Sequence, residues 1–122
     1  MTKPKGDYLI KESDVETCNM LSPLLHSLLE EMKELSKKKQ DGVLNKLKAV
    51  MINKILKQVK DLLAREPTAQ FIDLLDEETL PTNSDAVLIL SQFKTAMHQF
   101  DGKYNRKDPG ESWSRWHTEE NP

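Results

Sequence analysis

Along most of this chain apolar residues recur at intervals of three and four, the spacing that gathers side chains on one side of a helix. Leu21, Leu25, Leu28, Met32 and Leu35 follow a +4, +3, +4, +3 pattern. Ser22-Pro23 reads as an N-cap followed by proline at the first helical position, where its missing N–H costs nothing. Upstream, Ser13 and Glu16 have capping-box spacing, which predicts a short helix over about 13–20 before a break. Lys37, Lys38 and Lys39 suit the negative end of a helix, and Asp41-Gly42 supplies a stop.

A second helix is expected from about Val43 to Arg65. It has a wide apolar set: Val43, Leu44, Leu47, Val50, Met51, Ile55, Leu56, Val59, Leu62 and Leu63. So broad a stripe implies burial against more than one neighbour. The short connection makes these two helices an antiparallel hairpin. Glu66-Pro67-Thr68 breaks the pattern, and a shorter helix over about 68–78 would bury Phe71, Ile72, Leu74 and Leu75. After Leu80-Pro81, Thr82 and Asp85 cap a last helix over about 84–100. Its core side is Val87, Leu90, Phe93, Met97 and Phe100, and Asp101-Gly102 ends it.

No clean alternation marks a strand. The expected fold class is therefore all-α: a helical hairpin plus two further helices, with flexible N- and C-terminal tails. The organisation follows as a flexible arm over 1–12, a helical domain over 13–102 and a tail over 103–122, where Pro, Gly, Ser, Asn and charges dominate.

Composition narrows the class. The chain has 122 residues, room for one modest core, and is 37% hydrophobic. Its longest apolar run, Ala86 to Leu90, is far too short for a membrane-spanning helix, so no membrane partner is expected. Residues 1–12 show no secretory signal, and the one cysteine, Cys18, fits a reducing, cytoplasmic setting.

The net charge of −2 conceals blocks. Residues 33–60 hold nine lysines and two acids, a balance of +7, and residues 66–85 hold six acids and no base, a balance of −6. Blocks of this kind attract each other within a chain, between subunits, or towards a charged partner.

Catalysis finds little footing. The four glycines, Gly6, Gly42, Gly102 and Gly110, form no phosphate-cradling loop. His26, His98 and His117 have no metal-ligand spacing, so neither a metal nor another cofactor is expected. Cys18 lacks a basic neighbour that would activate it. The acids Asp73, Asp76, Glu77 and Glu78 imitate a hydrolase's metal site, but a solvated acidic face explains them better. The chain reads as a non-enzyme.

Two features point to binding instead. On the second helix Lys46, Asn53, Lys57 and Lys60 fall on one narrow face, with Lys54 at its edge, and Lys37, Lys38 and Lys39 lengthen the strip. A row of point charges suits DNA phosphates, while the absence of arginine or aromatics among these lysines argues against base reading. A merely solubilising face is the plain alternative. In the tail, Trp113-Ser114-Arg115-Trp116 offers either a partner-docking motif or a flap folded back over the core.

Taken together, the basic hairpin, the stretch Glu66-Pro67-Thr68-Ala69-Gln70-Phe71-Ile72-Asp73-Leu74-Leu75-Asp76 and the stretch Leu80-Pro81-Thr82-Asn83-Ser84-Asp85-Ala86-Val87-Leu88-Ile89-Leu90 with Gln92-Phe93 resemble the small terminase subunit (DNA maturase A) of short-tailed bacteriophages. The likeness covers about residues 20–104. It implies a helical homo-oligomeric ring in the host cytoplasm that binds concatemeric double-stranded DNA and regulates the large terminase subunit during viral genome packaging. It also implies that the +7 block of one subunit faces the −6 block of its neighbour, that leftover lysines line the DNA surface, and that the tryptophan tail docks on the large subunit. The helix-turn-helix that many such subunits carry is not identifiable here, which leaves electrostatic rather than site-specific DNA binding. A different class accommodates the same residues: a small helical adaptor or inhibitor that binds protein and ignores DNA.

Overall fold

A computed structural model of the chain describes residues 9–122. Three long helices carry the fold: α1 (Glu12–Lys38), α2 (Lys46–Leu62) and α3 (Asn83–Tyr104). A 3-10 turn (Pro67–Phe71) follows α2, and an antiparallel hairpin of β1 (Asn105–Lys107) and β2 (Ser114–Trp116) follows α3. The protein is thus mostly helical, but the expectation of a purely all-α chain is corrected by this small sheet.

Helix α1 runs unbroken through Pro23, where a break was expected. Proline removes one intrahelical hydrogen bond and crowds the carbonyl four residues earlier. Here that carbonyl belongs to Asn19, and both Pro23 and Asn19 lie on the exposed side of the helix. Meanwhile Val15, Cys18, Leu21, Leu25, Leu29 and Met32 form one continuous buried stripe across the proline, and this packing holds the helix together. The start is capped by the Asp14 carboxylate, which accepts the Lys11 N–H at 2.9 Å, in place of the expected Ser13/Glu16 pair.

Helix α2 begins where Asn45 accepts the Lys48 N–H, three residues later than expected. Helix α3 begins, as its sequence indicated, with Thr82 Oγ1 accepting the Asp85 N–H. It then continues past Gly102 to Tyr104, because Phe100 and Tyr104 are both buried and stack edge-on at 5.1 Å.

The core lies where α1 packs along α3 on one side and α2 on the other, while α2 and α3 barely meet. Its largest side chains are Phe93, Phe100, Tyr104, Leu21, Leu25, Leu44, Leu56 and Leu90.

The segment after the 3-10 turn is extended, where a helix over 68–78 was expected. Ile72 and Leu75 reach the core while Phe71 is exposed. One local and one long-range contact oppose helix formation. Asp76 Oδ1 accepts the N–H groups of Glu78 and Thr79, both at 2.8 Å, and the Asn53 side chain takes both backbone groups of Leu75.

Both ends of the described chain are packed on each other. Glu119 N–H donates to Ile10 O at 2.7 Å, Thr118 Oγ1 donates to Glu12 Oε1 at 2.9 Å, and the Glu120 carboxylate accepts the Glu12 N–H at 2.7 Å. The last contact places an anion on an otherwise orphaned donor at the positive end of α1. The expected flexible tail over 103–122 is therefore a hairpin closed onto the core. Most of the expected 1–12 arm falls outside the described residues, and of its last residues Ile10 is buried and Glu12 opens α1.

Candidate functional site

The helical hairpin builds one face of the molecule from two stripes. On α1 the outward residues Met20, Leu24, Ser27 and Glu31 are spaced 4, 3 and 4 apart; on α2 Leu47, Met51, Lys54 and Gln58 follow the same spacing, and all eight are exposed. Between the helices runs a groove of about 330 Å³ lined by Leu28, Met32, Leu35, Leu47, Met51 and Ile52, with Glu31 and Lys48 at its lips. Leu47 is 68% exposed and Met51 57%, so large apolar side chains of the groove stand in water, and Leu24, two turns before Glu31 on α1, is 45% exposed. The wide apolar stripe of α2 thus has two destinations: one half is core, and the other lines this open groove.

The lysines are dispersed by the fold. Lys37, Lys38 and Lys39 lie exposed where α1 ends, next to the start of α2, and Lys37 pairs with Glu34 at 3.0 Å within its own helix. Lys46 reaches Glu78 at 3.7 Å. Lys54 and Lys57 are exposed, and neither makes an ion pair among the described residues. Lys60 is half-buried and donates to Ile72 O at 3.1 Å. Its position corrects the expected straight row: Asn53 and Lys60 are covered by the extended segment over 72–78, while Lys46 stays exposed.

Asn53 is the centre of that cover. It is 2% exposed; its amide donates to Leu75 O at 2.9 Å and to Glu77 Oε2 at 2.7 Å, and its carbonyl accepts the Leu75 N–H at 3.0 Å. One side chain thereby imitates a strand neighbour. The acidic block meets the basic block inside one chain through the exposed pair Lys46–Glu78, and Lys60 adds a bond to the Ile72 backbone, whereas the sequence left open a contact between subunits. Asn53 was legible only as the one uncharged polar residue in a lysine face.

Glu66 reads in the sequence only as part of the break after the second helix. It is buried, accepts the Tyr104 hydroxyl at 2.8 Å and pairs with Lys103 at 3.2 Å, joining the end of α2 to the end of α3. Burial first, and then the Glu66 carboxylate, push the Tyr104 hydroxyl pKa well above its ordinary value.

The two tryptophans have different fates. Trp116 is half-buried against Phe100, with ring centroids 6.3 Å apart, whereas Trp113 is 64% exposed near the hairpin turn. Gly110 makes that turn possible with a φ of 83°, a conformation L side chains rarely adopt. Arg115 is held inward: its Nε donates to Asp108 Oδ2 at 2.6 Å, and its Nη1 and Nη2 donate to the carbonyls of Asn121 and Pro122. These donations hold the Asp108 carboxyl below its ordinary range. His117 is buried with its ring nitrogens facing Pro122 O at 3.0 Å and Arg106 O at 3.3 Å. Of the residues expected to dock a partner, Arg115 and Trp116 are thus hairpin struts, and Trp113 alone stands free.

Elsewhere chemistry is sparse. Among the described residues no group of three or more His, Cys, Asp or Glu side chains is arranged to hold a metal ion, and no helix is long and apolar enough to cross a membrane. Cys18 is buried beside Ser22 and Met97, and burial raises its thiol pKa. A second depression of about 300 Å³ lies between the 3-10 turn and α3, lined by Thr68, Phe71, Gln92, Thr95 and Gln99. No protein-family model matches the chain, and no curated protein and no solved structure is significantly similar to it.

Proposed function

We propose that this chain is the small, non-catalytic subunit of a viral DNA-packaging machine, which assembles through the apolar face of its α1–α2 hairpin and holds double-stranded DNA electrostatically while a separate large terminase subunit cuts and translocates it. The observation that carries this reading is the pairing of an open apolar groove with exposed lysines on the same hairpin: Leu24, Leu47 and Met51 together with Lys38, Lys39 and Lys57. Apolar surface of that extent favours association, and lysines free of buried partners favour phosphate contacts. The sequence resemblance supplies the biological setting. Lys46 and Lys60 contribute less than the sequence indicated, because one faces Glu78 and the other holds Ile72.

Native mass spectrometry and fluorescence anisotropy with a labelled duplex test this together. The expected result is a discrete assembly, a ring of eight or more subunits being the size the resemblance implies, with DNA affinity that falls steeply as salt rises. Reversing Lys38, Lys39 and Lys57 to glutamate should abolish retention while leaving the far-UV circular dichroism unchanged. No binding by the unaltered chain at low salt would refute the DNA reading.

A protein-binding adaptor is the second reading, favoured by the internal engagement of Lys37, Lys46 and Lys60. It is distinguished by a monomer or dimer that ignores DNA at every salt concentration.

A further inference from the structure

The geometry points to a nucleotide site in the channel between the 3-10 turn and α3, with an adenine base stacked on Phe71 and the phosphate facing Lys103. The channel lies outside the α1–α2 hairpin, so this site stands independently of the assembly and duplex contacts proposed above.

Two depressions join to make the channel. The first, of about 300 Å³, is walled by Thr68 and Phe71 on one side and by Ser91, Gln92, Thr95 and Gln99 on the other. The second, of about 190 Å³, shares Thr68 and Gln99 with it and ends at Lys103. Gln92, Thr95, Gln99 and Lys103 advance along one face of α3 in steps of three and four, so the channel follows that face for roughly 16 Å. Phe71 lines only the first depression and Pro67 only the second, which sets Phe71 at the Gln92 end and Pro67 at the Lys103 end.

That order of residues is an order of chemistry. Phe71 is 68% exposed, an aromatic face in water that a base covers by stacking. The Gln92 amide beside it carries a donor and an acceptor side by side, the pattern that matches one edge of adenine. The hydroxyls of Thr68 and Thr95 follow, at the level of a sugar. Lys103 closes the channel; its ammonium gives one donor to Glu66 at 3.2 Å and has two left for a phosphate. Glu66 offsets much of that charge, so the base end carries most of the hold. The polar walls are also uncommitted: Thr68, Ser91, Gln92, Thr95 and Gln99 make no side-chain hydrogen bond among the described residues. No charged side chain lines the first depression, which suits a neutral ring bearing donors and acceptors. A bare phosphate would leave Phe71 and Gln92 unused, and a bare sugar would leave Lys103 unused.

Heteronuclear NMR of the full chain titrated with adenylate (AMP) tests the site, with circular dichroism confirming that each variant folds. The expected result is saturable shifts of the amides over 68–72 and 91–103 and of the Gln92 and Gln99 side chains, with none at Leu47 or Met51. Phe71→Ala should weaken binding by about five- to a hundredfold, and Phe71→Trp should retain it. Lys103→Gln should weaken AMP by about two- to fivefold and leave adenosine unchanged, which separates the phosphate end from the base end. Leu88→Ala, at an exposed apolar position on α3 outside the channel, should change nothing. A single-stranded deoxyadenosine oligomer that binds tighter than AMP assigns the site to an exposed base of a strand, and one that binds no tighter assigns it to a free nucleotide; both keep the site. Four results would overturn it: no shifts at about 10 mM AMP, shifts centred elsewhere, undiminished binding by Phe71→Ala, or ribose phosphate or glucose binding as well as AMP. Duplex retention is read separately through Lys38, Lys39 and Lys57, so loss of either reading leaves the other to be judged alone.

Discussion

Replacing Asn53 with alanine removes a buried amide that makes three hydrogen bonds: two with the backbone of Leu75 and one with the Glu77 carboxylate. Leu75 is 4% exposed, so its N–H and C=O cannot exchange Asn53 for bulk water without opening the segment. Leaving a buried backbone group unpaired costs about 1–3 kcal/mol, so two such groups put the expected loss near 3 kcal/mol, with partial relaxation holding it below the sum. For a chain of 122 residues this corresponds to about 10 °C in melting temperature. It is also a large share of the total, since domains of this size are stable by about 5–15 kcal/mol.

The assay is urea unfolding followed by circular dichroism at the helical minimum, with melting as a second measure. Two companion variants sharpen it. Asn53→Asp keeps an acceptor for the Leu75 N–H but faces the Leu75 carbonyl and the Glu77 carboxylate with a second negative charge, and should be worse than alanine at neutral pH. Glu77→Gln keeps an oxygen for the Asn53 amide and should cost under about 1 kcal/mol. A loss of less than about 0.5 kcal/mol for Asn53→Ala would refute the reasoning, because it would mean that the segment over 72–78 is not held on α2 by this side chain.

Three further outcomes follow from the packing. Tyr104→Phe removes the hydroxyl that donates to Glu66 while Lys103 stays in place, and should lower stability by about 1–2 kcal/mol in the same denaturation experiment. Leu56→Ala, at a position with no solvent exposure, should cost about 3 kcal/mol, and addition of a small apolar ligand should recover part of it if the cavity persists. Acid should loosen the β1–β2 hairpin: the Asp108 carboxyl has its pKa depressed by Arg115, so its contribution is present above the ordinary carboxylate range and is lost as pH falls through the depressed value. Tryptophan emission should shift to the red in that acid window as Trp116 leaves Phe100, and Asp108→Asn should show the shifted emission already at neutral pH.

Much of the helical framework could be read from the chain. The α3 stripe Leu90, Phe93, Met97 and Phe100 and the Thr82 cap are local facts, because a 3.6-residue repeat and a side-chain oxygen at an N-cap act within a few residues of each other. The α1–α2 hairpin and the breadth of the α2 stripe were legible for the same reason. Tertiary structure decided the rest. Pro23 and Gly102 signal ends locally, yet both lie inside helices, because buried side chains on either side reward continuation by more than one lost hydrogen bond or one flexible residue costs. Residues 68–78 carry enough Leu, Ile and Phe for a helix, but Asn53, far away in sequence, binds the Leu75 backbone and draws it out straight. The lysine row of α2 existed as periodicity; which of its members meet solvent was decided when that same segment lay down over Asn53 and Lys60. Likewise, nothing local distinguishes Trp113 from Trp116. Only the hairpin register, which pairs Asn105 with Trp116 and turns its ring to Phe100, buries one and leaves the other in water.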